Sequence, residues 1–151
     1  MYRRREAGPE ILLVHPGGPF WRDKDAGAWS IPKGLYEEDE NPVAAARREF
    51  EEETGCRPDG DFIALGNFRQ PGGKIVTAFA VEGDFDVAAL RSNSFTIEWP
   101  PRSGRQASFP EVDRGEWFSP AAARVKLVKG QVSILDAFLA KWRSSPLRTS
   151  S

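Results

Sequence analysis

The chain has a single cysteine, Cys56, among its 151 residues, so no disulfide can form within it. Cys56 reads as a small apolar packing residue. It also has a single histidine, His15. A histidine-based metal cluster is therefore excluded, and His15 is read as a strand-end residue without a functional role. No apolar run approaches the ~20 residues that span a bilayer, and no secretory leader is recognisable. A cytoplasmic location is expected. Charge of one sign is missing too: 21 Lys and Arg face 22 Asp and Glu, a net of −1. That balance offers no electrostatic footprint for a nucleic-acid polymer or an anionic membrane, and neither partner is expected. There is no internal repeat.

What is present is an ordinary globular composition, 40% hydrophobic and 28% charged, at the size of one domain. The domain is assigned to residues 1–143, with 144–151 as a flexible tail. Met1–Arg5 is basic and breaks at Gly8-Pro9, leaving little room for a first strand, so the native start is expected upstream. The run Ile11–His15 suits a buried strand. Pro16-Gly17-Gly18-Pro19 forces a loop, in which Phe20 and Trp21 either stack a nucleobase or cover the core edge. Phe62–Arg69 and Lys74–Val81 read as two strands about a Gln70-Pro71-Gly72-Gly73 turn. Gly83–Asn93 is irregular, with a helical turn at Val87–Leu90, and Ser94–Trp99 is a strand ending at two prolines. The basic loop Arg102–Gln106 either gates a phosphate-bearing substrate, through Arg102 and Arg105, or connects strands. Phe109–Asp113 reads as a loop before a short strand, Glu116–Phe118. Ser119-Pro120 starts a helix to about Val128, and an apolar stripe marks another over Gln131–Trp142. The fold class is α/β, a small mixed sheet between helices.

The most informative stretch runs from Gly34 to Cys56. Asn41 is a good N-cap, Pro42 fits the first helical position, and Gly55 can end the helix in the left-handed conformation. Glu49, Glu52 and Glu53 share one face of that helix at i, i+3 and i+4. Val43, Ala46 and Phe50 are assigned to the neighbouring, core face. Like charges at i,i+4 cost roughly 0.2–0.5 kcal/mol per pair in an isolated helix. The stripe is either a solvated acidic face or a site for a hard cation, since carboxylate oxygens suit Mg²⁺. Spacing alone leaves both readings open.

The whole segment resembles the signature of the Nudix hydrolases, G-x5-E-x7-R-E-U-x-E-E-x-G-U with U apolar. Gly34, Glu40, Arg48, Glu49, Phe50, Glu52, Glu53 and Gly55 match, and Cys56 is an unusual choice at the last apolar position. The resemblance in local order covers roughly Ile11 to Trp142. It implies the Nudix fold and Mg²⁺-dependent (or Mn²⁺-dependent) hydrolysis of a phosphoanhydride. Glu49, Glu52 and Glu53 would be helix metal ligands, with Glu52, Glu53 and Arg48 in the catalytic group and Glu40 supporting Arg48. Trp29-Ser30-Ile31-Pro32-Lys33-Gly34 resembles the run before the signature in enzymes acting on nucleoside and dinucleoside polyphosphates. Lys33 would supply charge for a phosphate, and Trp29 is placed in the core or on the pocket wall. The resemblance further implies that Glu111, six residues before Trp117, is an additional ligand or base; Glu98, Asp113 and Glu116 are rivals nearby. Glu37, Glu38 and Asp39 are read as solvated. The expected partner is a nucleotide or polyphosphate small molecule, with monomer and homodimer both open. A nucleotide-sugar pyrophosphatase and a non-catalytic nucleotide-binding module are the alternatives. A module would be expected to lose signature acids, and this chain keeps them all.

Overall fold

The computed structural model describes residues 1–34 and 39–144. Glu37 and Glu38, and the tail from residue 145 onward, lie outside the described residues. Strands β1 (Tyr2–Arg5), β2 (Gly8–Pro16) and β7 (Val112–Phe118) form a three-stranded antiparallel sheet with β2 in the middle. Strands β3 (Ile63–Arg69) and β4 (Ile75–Ala80) pair as one hairpin, and β5 (Ser94–Glu98) and β6 (Gln106–Pro110) as another. A parallel bridge Tyr2–Glu82 ties β1 to the chain just after β4, and another, Trp29–Leu127, ties the segment after β2 to the residue that follows helix 120–126, so the arrangement is mixed. Helix α1 is Pro42–Thr54, α2 is Pro120–Lys126 and α3 is Val132–Ser144.

Strand alternation produces two cores. Ile11 and Leu13 of β2 pack on one side with Ala123, Leu127, Leu135 and Phe138 from α2, α3 and their junction. Leu12, on the opposite face, packs with Phe50 of α1 and with Phe85. Leu12 and Leu13 are both fully buried, which explains why β2 is a continuous apolar run and not an alternating one.

Four expectations are corrected. There is a first strand: Tyr2–Arg5 pairs with Gly8–Ile11, and the Gly8-Pro9 pair lies inside β2, because a tight turn needs little chain. Phe109–Asp113 is not a loop; Phe109 and Pro110 end β6, Val112 starts β7, and only Glu111 stands between them. Helix α2 ends at Lys126, two residues before Val128, since Leu127 is already extended. The buried face of α1 is Ala45, Phe50, Glu53 and Thr54, while Val43 and Ala46 are half-buried. The core side is thus rotated toward Glu53, and one acid of the stripe is inside.

His15 is fully buried, with Nδ1 2.9 Å from Asp113 Oδ1 and Nε2 2.7 Å from the Lys24 carbonyl oxygen. The β2–β7 register shifts between His15 and Pro16, opposite Asp113. Such a bulge re-aims the side chain it carries. Here it accompanies the Asp113–His15 contact, so His15 is a structural tie between β2, β7 and the Gly17–Ala28 loop.

Candidate active site

The N-terminus of α1 is closed by Asn41, whose side-chain oxygen accepts from Val43 N at 2.9 Å and Ala44 N at 3.2 Å, with Pro42 at the first helical position. Gly55 ends the helix at φ 79°, donating its N–H to Glu51 O. These two caps set the phase of the helix, and so the direction of Glu49, Glu52 and Glu53.

Arg48 stands among the acids. Its Nε and Nη2 hold both oxygens of Glu40 at 3.0 and 2.9 Å, a bidentate pair. Its Nη1 is 2.9 Å from Glu49 Oε1 and 3.3 Å from Glu52 Oε1. The four side chains are charge-coupled: the guanidinium is pushed further toward permanent protonation, first by the hydrogen bonds it donates to Glu40. Glu49 is nevertheless raised above the ordinary carboxyl range, by burial first and by the neighbouring Glu52 second, with Arg48 opposing.

Glu53 is the inner acid, only 9% exposed. One oxygen accepts the Lys33 backbone N–H at 3.3 Å. Among the described residues no side-chain cation reaches hydrogen-bond distance of it. Burial pushes its pKa up to about 7; Lys33 pulls it down, and the charges of Glu111 and Glu49 push it further up. Backbone bonds bring the Glu111 segment to α1. Asn93 N donates to Glu52 O at 2.9 Å, Glu111 N donates to Asn93 O at 2.8 Å, and Gly17 N donates to Glu111 O at 2.9 Å. This relay ties the β6–β7 junction to the last turns of α1. Two rivals are otherwise engaged: Asp113 with His15, and Glu98, whose Oε1 accepts from Arg102 N at 2.7 Å. Glu116 is an exposed residue of β7.

Gly34 packs so closely on the Glu49 carboxylate that a Cβ there would overlap it. Beside this contact opens a cavity of about 640 Å³, lined by Ile31, Lys33 and Gly34 at one end, by Glu49 and Phe50 of α1, and by residues of β3, β4 and α3. Its walls are mainly apolar. Arg47, next along α1, places its guanidinium over the ring of Phe62, another wall residue, at 4.8 Å.

The residues expected to bind substrate fall into three places. Lys33 is exposed at the cavity mouth. Trp29 is in the core, 2% exposed, with Nε1 bonded to Asp25 at 2.8 Å, and it does not line the cavity. Phe20 and Trp21 are exposed, and Phe20 meets the edge of Trp99 at 5.3 Å, at the base of the β5–β6 turn that carries Arg102 and Arg105. Gln70 and Gln131, which the sequence places only in a hairpin turn and at a helix start, are both on the cavity wall. Gln131 sat at the edge of the apolar helix stripe, where a polar residue carries no signal of its own.

Among the described residues no three His, Cys, Asp or Glu side chains converge as a formed cation cage. The guanidinium of Arg48 lies between Glu49 and Glu52. The donor set still fits a hard divalent cation in its chemistry: carboxylate oxygens, those of Glu53 buried and, among the described residues, with no side-chain cation at hydrogen-bond distance.

The family model of the NUDIX domain matches residues 1–138. An RNA pyrophosphohydrolase from Roseobacter denitrificans is 50% identical over 53 residues, which is 32% of this chain and 33% of that relative. The chain thus aligns with only a third of that relative's length. A Caenorhabditis elegans Ap4A hydrolase in a binary complex superposes with a TM-score of 0.65 at 18% identity, covering 95% of both chains. The NUDIX domain of Shewanella oneidensis NrtR, complexed with ADP ribose, superposes with a TM-score of 0.61 at 18% identity, covering 95% of this chain and 83% of that one.

Proposed function

The chain belongs to the Nudix hydrolase family, and from that premise we propose that it hydrolyses a phosphoanhydride bond in a nucleoside triphosphate or dinucleoside polyphosphate, with Mg²⁺ as cofactor. The observation that carries this reading is the position of the acids. Glu49 and Glu53 flank the Lys33–Gly34 turn at the mouth of a cavity large enough for a small-molecule ligand.

Glu49, Glu52, Glu53 and Glu111 would hold the divalent cation, Mg²⁺ or Mn²⁺. When bound, the cation supplies positive charge against the anhydride oxygens and favours deprotonation of water. The remaining work belongs to the chain's own side chains. Lys33 offers a point charge to a substrate phosphate. Arg48, anchored through Glu40, orients Glu49 and Glu52. Glu111, held by its own N–H and carbonyl at the strand junction, takes the proton of the attacking water. The new bond is water oxygen to phosphorus; the bridging P–O bond breaks, and a phosphate or nucleotide leaves as an oxyanion.

A second reading is a 5′-triphosphorylated RNA end. The 53-residue match to an RNA pyrophosphohydrolase favours it. One experiment separates these: chromatographic separation of the products released, whether phosphate, pyrophosphate, nucleotide or sugar phosphate, with and without Mg²⁺, from a panel of nucleoside triphosphates, dinucleoside polyphosphates, nucleotide sugars and a short 5′-triphosphorylated RNA. Mg²⁺-dependent release from the first two classes supports the main reading. Release from the RNA alone selects the second. No release from any substrate would return the non-catalytic binding module.

A further inference from the structure

Gln131 is 5% exposed, sits in the 3₁₀ turn just before α3, and faces the mainly apolar cavity. A buried carboxamide in apolar surroundings is costly unless its polar atoms are used. One atom is used: Oε1 accepts the backbone N–H of Ile31 at 2.9 Å. Because a backbone N–H only donates, this bond also settles which end of the amide is which. The nitrogen is the other end, and it has no hydrogen-bond partner among the described residues.

Gln70, from the β3–β4 turn, lines the same cavity. Its Nε2 donates to the carbonyl of Gly130 at 3.0 Å. A backbone carbonyl only accepts, so the polarity of this amide is settled too, and its oxygen is the atom left over. The approach depends on glycine: a Cβ at residue 130 would lie 2.9 Å from Gln70 Oε1 and 3.0 Å from Pro71 Cδ. Gly130 precedes Gln131 in the chain, so the Gln70 carboxamide meets the backbone next to Gln131. The lining of one cavity therefore includes an oriented donor and an oriented acceptor, together with Lys33 and Glu49.

We propose that Gln131 and Gln70 are the base-reading pair of this enzyme: the Gln131 amide donates to an acceptor on the substrate's nucleobase, and the Gln70 carbonyl accepts from the N–H beside it. The inference rests on the nucleotide reading above and assigns the base to the cavity and the phosphates to its mouth. A planar heterocycle with adjacent donor and acceptor atoms satisfies both amides at once, and the apolar walls take its faces. Sugar hydroxyls do not match an apolar wall in this way. A site built to hydrogen-bond a substrate rejects the mismatched analogue strongly, because its own polar groups are then left unpaired.

Gln131→Glu tests the pairing. Glutamate keeps an oxygen for the Ile31 N–H and replaces the free donor by an acceptor. With Gln70 it presents two acceptors, which suit the N1–H and N2–H₂ edge of guanine alone among the common bases. At pH 8, kcat/KM for ATP, CTP and UTP should each fall about tenfold or more relative to GTP, compared with the same ratios in the wild type. An equal fall for all four, or no change, overturns the pairing. A second measurement does not depend on turnover: ¹H–¹⁵N spectra of the wild-type protein titrated with millimolar adenosine, guanosine, cytidine and uridine. A shift of the Gln131 side-chain amide with at least one nucleoside supports the base site. No shift with any of them overturns it. If the substrate panel shows no hydrolysis at all, the functional reading fails, and this titration still decides the site.

Discussion

Nη1 of Arg48 lies 2.9 Å from Glu49 Oε1, on the same carboxylate that the backbone of Gly34 packs against. Glu49 is thereby held between a guanidinium on its own helix and a glycine fifteen positions earlier in the chain. Gly34 does not have a left-handed φ, so its value is room and not conformational freedom. Gly34→Ala should therefore leave the backbone in place and displace the Glu49 carboxylate. A misplacement of about 1 Å costs up to about a hundredfold in rate. We expect kcat/KM to fall by roughly that much with a melting temperature within a few degrees of the wild type. Unchanged turnover would show that Glu49 need not sit where it does.

Glu52→Gln should lower turnover at least about a hundredfold, because a neutral amide is a poorer Mg²⁺ ligand than a carboxylate. Stability should move little, by about 0.5 kcal/mol or less. The variant loses an exposed i,i+4 pair with Arg48 at 3.3 Å but also loses the repulsion between Glu52 and Glu49. Urea unfolding and steady-state kinetics on the same preparation check both halves. Near-normal turnover would remove Glu52 from the ligand set.

Glu111→Gln and Asp113→Asn should separate cleanly although only two residues apart. Glu111→Gln lowers kcat by about a hundredfold or more with a smaller change in KM, and leaves unfolding unaffected. Asp113→Asn acts through the buried His15 and lowers stability by about 1–3 kcal/mol, with turnover close to normal at a temperature where the variant is folded. The reverse pattern would exchange their roles.

The pH dependence of stability should carry the signature of Glu53. Its carboxyl titrates at about 7 in the folded chain against 4.5 ordinarily. Between these values the folded state binds a proton that the unfolded state has released, so stability falls as pH rises from about 4.5 to 7 and levels off above. The size of the effect is about 3 kcal/mol. With EDTA present, Glu53→Gln should match the wild type near pH 5 and exceed it by about that amount at pH 8. Mg²⁺ should narrow the difference at pH 8 by favouring the ionised wild-type carboxylate. A difference that does not vary with pH would exclude Glu53 as its source.

Local rules carried much of this protein. Asn41, Pro42 and Gly55 specify where α1 begins and ends through hydrogen bonds and dihedral limits that involve only near neighbours. The i, i+3, i+4 spacing of Glu49, Glu52 and Glu53 follows from helix geometry and needs no tertiary information. The hairpin around Pro71-Gly72-Gly73 and the Ser119-Pro120 start of α2 were legible for the same reason. What the sequence could not contain was distance between segments far apart in the chain. The strand junction that carries Glu111 is tied to α1 because Asn93 bridges Glu52 and Glu111 through backbone bonds, and backbone groups are the same whatever the residue. Glu53 differs from Glu52 only in what packs over it; neighbours in the chain, one is buried and one is half-exposed. Trp29 was equally suited to core or wall by its chemistry, and the packing of β2, Phe118 and Asp25 around it decided for the core. Gln131 had no local pattern to mark it. Its amide acquires a direction only when Ile31, a hundred positions earlier in the chain, brings a backbone N–H to its oxygen.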